Sequence, residues 1–206
     1  TIIWEYAIRY RGNKTGLSDG WSTTRTLANF GDSVFVQGAH VRIAVKGSRV
    51  YVVWGQGIND FQHILLRRSD NNGDSWYDTQ TLTSVQADPN QQYIQPAIAV
   101  DNDGNLNIVY WQYGTGNLIY RKFNSSGSPL TNEIVIGTCG GLPFPEVASN
   151  PLGGVEVVWC VSVSGNWEVY HARINSDATF STTRLTNSTG YSIYPHVSSD
   201  SQGNVQ

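Results

Sequence analysis

The chain has 206 residues, a net charge of -3 and only 14% charged residues, which excludes a polybasic nucleic-acid surface or membrane patch. Seven Trp and eleven Tyr, with abundant Val, Ile and Thr, favour strands over helices, and no apolar run is long enough for a membrane span. No signal peptide is visible, and with no Met in the chain Thr1 is not a translation start, so a processed chain or an excerpt of a longer one is expected.

Taken in order, the chain is a repeat. It opens with WEYAIRYRGNKTGLSDGWSTTRTL, which matches WEVYHARINSDATFSTTRLT from Trp167 and so starts near the third strand of a unit. Next comes HVRIAVKGSRVYVVW from His40: an alternating strand, a Gly turn, and a second strand ending in Trp54. HILLRRS and SWYDTQTLT follow as third and fourth strands. The pattern returns as QPAIAVDNDGNLNIVYW from Gln95 to Trp111, then NLIYRKF and TNEIVIG. It returns again as FPEVASNPLGGVEVVW from Phe144 to Trp159, then WEVYHARI and FSTTRLT. Its last copy, YPHVSSDSQGNVQ from Tyr194, stops at the start of a second strand. Anchored on Ile43, Ile98, Val147 and Val197, the spacings are 98−43=55, 147−98=49 and 197−147=50.

Four strands in about fifty residues, with no amphipathic helical segment, predict an all-β chain of small antiparallel sheets. Such a sheet cannot protect both edges alone. Radial packing leaves only short edges, which predicts a β-propeller of four-stranded blades. The expected domain is 1–206 as a single propeller. Its blades are 194–206 plus 1–30, then 38–84, 94–136 and 144–187, with one blade shared by the two termini. Pairing across that seam closes the ring, or permits self-association through the terminal strands.

The segment RRSDNNGDSW at 67–76 then finds a place. Ser69-Asp70-Asn71-Asn72-Gly73-Asp74-Ser75-Trp76 resembles the Asp-box, or BNR repeat, of sialidase-like β-propellers, with pattern Ser-x-Asp-x-Gly-x-Thr-Trp. Asn71 stands for the Asp and Ser75 for the Thr. Ser69, Asn71, Gly73, Ser75 and Trp76 carry the resemblance, which implies a structural turn on the blade periphery. The other repeats hold only worn versions of it.

The same resemblance implies an enzymatic alternative. Val41-Arg42-Ile43-Ala44 is similar to the Phe/Tyr-Arg-Ile-Pro motif of sialidases, whose Arg binds the substrate carboxylate. If the chain is sialidase-like, Arg42 is that Arg and Asp60 the acid/base. Against this, Ala44 replaces the Pro, no Tyr–Glu nucleophile pair is placed by motif, and Arg121 and Arg173 sit on third strands like Arg67 and Arg68.

The repeat register offers a second site. Arg42, Ala97, Glu146 and His196 share one position on the innermost strands, opposite in face to Ile43, Ile98, Val147 and Val197. Arg42, Glu146 and His196 are therefore the candidate binding residues around the axis; a solvated polar channel lining is the plainer alternative. Asp101-Asn102-Asp103-Gly104-Asn105 reads as a turn rather than a calcium loop, because the distal bidentate Glu is missing. No metal or cofactor is expected.

Cys139 and Cys160 leave open one disulfide or two buried thiols. Asn13, Asn124 and Asn187 head N-glycosylation sequons. The expected function is a secreted or cell-surface, non-enzymatic module that binds glycans or builds an extracellular assembly with other protein chains. The alternative is a sialidase-like glycoside hydrolase.

Overall fold

A computed structural model describes residues 7–13, 20–29, 40–58, 61–83 and 92–206. Among them the chain is all-β, with fourteen strands and no helix. β1 (Ala7–Tyr10) and β2 (Arg25–Asn29) form a two-stranded antiparallel sheet. Three four-stranded antiparallel sheets follow, each a meander in chain order. The second sheet is β3 (Arg42–Lys46), β4 (Arg49–Ile58), β5 (Phe61–Ser69) and β6 (Gln80–Thr81). The third is β7 (Gln92–Val100), β8 (Leu106–Tyr113), β9 (Asn117–Phe123) and β10 (Ile134–Thr138). The fourth is β11 (Glu146–Ser149), β12 (Val155–Val163), β13 (Asn166–Ile174) and β14 (Phe180–Arg184). Beyond β14, Ser198 and Gln206 exchange backbone hydrogen bonds of 2.9 and 3.0 Å in a short tail hairpin.

The hairpins form because each alternating strand meets a turn that satisfies its own backbone. Asp101 Oδ1 accepts from the amides of Asp103 and Asn105 at 3.0 and 2.8 Å. Asp200 Oδ1 does the same for Gln202 and Asn204, and Asn150 Oδ1 takes the amide of Leu152. The Asp101 carboxylate also pairs with Lys122 at 2.9 Å. Burial opposes its ionisation, but Lys122 and the Asn105 amide outweigh this and hold its pKa below the usual range.

The turn at 69–76 is closed by its own side chains. Ser69 Oγ donates to Asn71 Oδ1 at 2.9 Å and accepts from the Gly73 amide at 2.8 Å. Asn71 Oδ1 also accepts from the Ser75 amide at 2.9 Å, and Trp76 Nε1 donates to the Gly73 carbonyl at 3.0 Å. Gly73 has φ of 85°, and a Cβ there would meet the Tyr10 ring, so this position needs Gly.

Neighbouring sheets pack face to face through three apolar layers. Ile8 and Leu27 lie against Val52, Trp54 and Leu65 of the second sheet. Tyr51, Val53, Ile64 and Leu66 meet Tyr93, Ile108, Tyr110 and Ile119 of the third. Val109, Leu118, Tyr120 and Ile136 meet Val157, Trp159 and Ala172 of the fourth. Two arginines stitch these layers. Arg67 Nη1 donates to the carbonyl of Leu27, and Arg121 Nη1 to that of Leu82, each reaching the preceding sheet. Arg121 and Arg173, the third-strand arginines considered as further carboxylate binders, are thus engaged within the fold, Arg121 on the Leu82 carbonyl and Arg173 on Glu156.

Trp54, Trp111 and Trp159, which read in the sequence as recurring at one buried repeat position, do not all share it. Register equates Val52, Ile108 and Val157, partners of Ile43, Ile98 and Val147, so Trp54, Tyr110 and Trp159 are equivalent. Trp111 lies one residue further on and faces the other way, because a one-residue step reverses the face of a strand.

Cys139 and Cys160 are both buried free thiols, so the disulfide alternative is not formed. Burial, then the nearby Cys160, pushes the Cys139 thiol up to about 12, and burial raises Cys160 as well. Folded Cys139 thus stays protonated where the unfolded thiol ionises, so its contribution to stability is flat below about pH 8.5 and is lost as pH rises above it. Labelling with a thiol reagent at pH 8 should be slow in the native protein and reach both cysteines on unfolding. Fast native labelling would refute the burial, and no labelling in denaturant would reveal a disulfide.

Candidate functional site

Strand β7 lies between β3 and β11 and contacts both. The register position carrying Arg42, Ala97 and Glu146 pairs with Val53, Val109 and Val158, so these three side chains occupy one level. Ala97 is small and buried. Arg42 Nη2 donates to Glu146 Oε1 at 2.7 Å, linking the second and fourth sheets. The two side chains keep 35% and 23% of their surface exposed. Arg42 Nε is buried with no partner among the described residues. His196, the tail residue of the same repeat position, is exposed and stands outside the pair. Asp60 lies outside the described residues.

Two residues before each of these positions is a second set that the sequence reading passed over: His40, Gln95, Phe144 and Tyr194. Gln95 Oε1 accepts from the Phe144 amide at 3.2 Å, and Gln95 Nε2 lies 3.4 Å from His40 Nε2. The Phe144 ring is 6.5 Å from His40 and 4.5 Å from Tyr194. These four residues therefore form a contiguous rim two residues before the level of Arg42 and Glu146, with Gln95 buried within it. Burial, and then the charge of Arg42, holds His40 below its ordinary pKa, so it is neutral at pH 7.

The rim is conformationally unusual. Gln95, Phe144 and Tyr194 have φ of 53°, 45° and 57°, and each precedes a proline. Left-handed backbone at a non-Gly residue costs roughly 1–3 kcal/mol, and such residues cluster at functional sites. What the three stretches QPAI, FPEV and YPHV share is the proline in second place, not the residue that takes the positive φ.

Other candidates resolve into structural roles. Tyr110 Oη donates to Glu133 Oε1 at 2.8 Å, with Arg121 at 3.9 Å from that carboxylate. This Tyr–Glu pair is not placed for nucleophilic attack, because Tyr110 is fully buried between two sheets and burial, then Glu133, raises its pKa far above normal. A cleft of about 360 Å³ lies at the hairpin-turn end, lined by Tyr10, Gly12, Asn13, Val45, Val50 and Asn72. Its Asn13 heads a sequon whose Lys14 and Thr15 lie outside the described residues. Asn124 uses its side chain inside a turn, where Oδ1 accepts from the Ser126 and Ser128 amides. Asn187 is exposed and accepts from Arg184 at 2.9 Å. Among the described residues no group of three His, Cys, Asp or Glu side chains is arranged to hold a metal ion. No described helix is long and apolar enough to cross a membrane.

No protein-family model matches the chain, and no curated protein does. Solved structures do match its fold. A protein of unknown function from Dyadobacter fermentans is 14% identical over 82% of this chain, with a TM-score of 0.59. The Bacteroides ovatus xyloglucan PUL GH43B protein is 12% identical over 80% of this chain, with a TM-score of 0.52. This chain spans 47% of the first and 34% of the second. Trypanosoma rangeli sialidase, in complex with the inhibitor DANA, is a weaker match at 18% identity and a TM-score of 0.45, covering 81% of this chain and 31% of its own.

Proposed function

We propose that the chain is a β-propeller module, secreted or cell-surface, that binds a glycan at the rim of its inner strands without hydrolysing it. The observation carrying this reading is the rim itself. An aromatic pair and a neutral imidazole, braced by the buried Gln95 amide, lie two residues before a part-exposed ion pair, and three of these residues have left-handed backbone. Aromatic faces with a few convergent polar groups suit a sugar, which has an apolar face and a hydroxyl edge.

The propeller reading is supported by successive four-stranded sheets whose inner strands converge. In it, the tail hairpin and β1–β2 are the inner and outer halves of one repeat. The turn at 69–76 is an Asp-box in which Asn71 replaces the Asp and keeps its hydrogen bonds. Absence of hydrolysis is supported by the commitments of Arg42, Arg121 and Arg173 and by the burial of Tyr110. An extracellular place is supported by the exposed sequon at Asn187.

The test is an oligosaccharide array that includes xyloglucan fragments and sialylated chains, run beside a fluorogenic sialoside assay. Retention without turnover is expected, weakened about tenfold or more in Tyr194→Ala by loss of the stacking face. Turnover by the wild type that Arg42→Ala abolishes would replace this reading with the sialidase-like hydrolase.

A further inference from the structure

The Arg42–Glu146 pair says what kind of sugar the rim accepts. We infer that it selects a neutral sugar presenting two adjacent hydroxyls, one held by Arg42 and the other by Glu146, over an acidic sugar. This rests on the glycan-binding reading above.

Three features carry the inference. First, charge is cancelled within the site. A ligand carboxylate seeking the Arg42 fork meets Glu146 Oε1 already on Nη2 at 2.7 Å, and must displace it or sit beside a like charge. Neutral His40 adds no positive charge to offset this. Second, hydrogen-bonding capacity is left over, and of both kinds. A guanidinium has five N–H donors and a carboxylate two accepting oxygens; Arg42 Nε is buried, and of the remaining groups only Nη2 and Oε1 are engaged with each other among the described residues. Spare donors on one side and a spare acceptor on the other match a diol, whose one hydroxyl accepts while its neighbour donates. A carboxylate offers acceptors only. Third, Tyr194 is 61% exposed and its ring lies 4.5 Å from that of Phe144, two residues before Glu146, giving the apolar face of a sugar a platform on the same rim.

The experiment measures equilibrium binding of methyl galactoside and methyl mannoside against galacturonic acid and N-acetylneuraminic acid. It compares the wild type, Glu146→Gln, Arg42→Ala and Tyr194→Ala, each checked for native unfolding. The wild type should favour the neutral sugars by about tenfold or more. Glu146→Gln keeps the side-chain shape and frees the guanidinium, so it should weaken neutral sugars and improve acidic ones. Arg42→Ala should weaken both classes. A wild type that prefers acidic sugars, or a preference unmoved by Glu146→Gln, would overturn the inference. Glycan binding at the rim would still stand in that case if Tyr194→Ala abolished it. No binding of either class by the wild type would overturn both.

Discussion

Trp54→Ala should cost about 3–5 kcal/mol of stability, the usual range for truncating a fully buried Trp. The indole is completely buried between the first two sheets, against Ile8, Leu27, Val52 and Leu65. Its Nε1 donates to Gln56 Oε1 at 2.9 Å, so truncation also strips a partner from that amide. The void cannot collapse easily, because Arg67 on the adjacent strand is fixed to the Leu27 carbonyl across the same interface. For a chain of this size each kcal/mol is worth roughly 2–4 °C, so a fall in melting temperature of about 6–20 °C is expected. Trp54→Phe, which keeps most of the ring, should fall well short of that. Urea unfolding measures both. A loss under about 1 kcal/mol in Trp54→Ala would mean that β1 and β2 do not dock on the second sheet in solution.

Trp54 also shows how far the sequence could be read. Alternation, Gly and Asx turns, and a closing aromatic were enough to place the hairpins starting at His40, Gln95 and Phe144, because those signals are local. The face of a single residue was less secure. Trp111 shares its residue type with Trp54 and Trp159, but Tyr110 holds the equivalent place, and only the pairing of Ile98 with Ile108 reveals it. The repeat register did bring Arg42 and Glu146 to one level, since equivalent residues on equivalent strands lie at equal heights. It did not flag His40, Gln95, Phe144 and Tyr194. Gln95, Phe144 and Tyr194 are related by left-handed backbone, of which a residue such as Phe144 carries no compositional mark, and His40 joins them only through contacts with Gln95 and Phe144. Nor were the Arg67 and Arg121 bonds legible, because each acceptor is a backbone carbonyl in another repeat.

The same limit hides a charged cluster in the fourth sheet, and it gives the second large prediction: Arg173→Met should cost about 3 kcal/mol, the low end for breaking a buried ion pair. Glu156 is only 1% exposed, and its carboxylate is held by three groups. Arg173 Nη1 donates to Oε1, Asn150 Nδ2 donates to the same oxygen at 2.9 Å, and His171 Nε2 lies 2.8 Å from Oε2. Removing Arg173 leaves a carboxylate in the sheet face with no permanent cation. The low end applies because Asn150 and His171 stay in place and the Arg173 side chain is 37% exposed, so solvent already screens part of the pair. The reverse change is not symmetric. In Glu156→Leu, Arg173 can swing to water, whereas Glu156 has nowhere to go. The double variant Glu156→Leu/Arg173→Met has no buried charge to strand, so it should recover most of the loss seen in Arg173→Met alone. Asn150 Nδ2 also donates to the Gly203 carbonyl at 3.3 Å, which ties the cluster to the tail hairpin. Proteolysis within 198–206 should therefore rise in Arg173→Met and return toward wild type in the double variant. Equal instability of the single and double variants would show that packing, not charge, sets the cost, and an unchanged Arg173→Met would show that the ion pair contributes nothing.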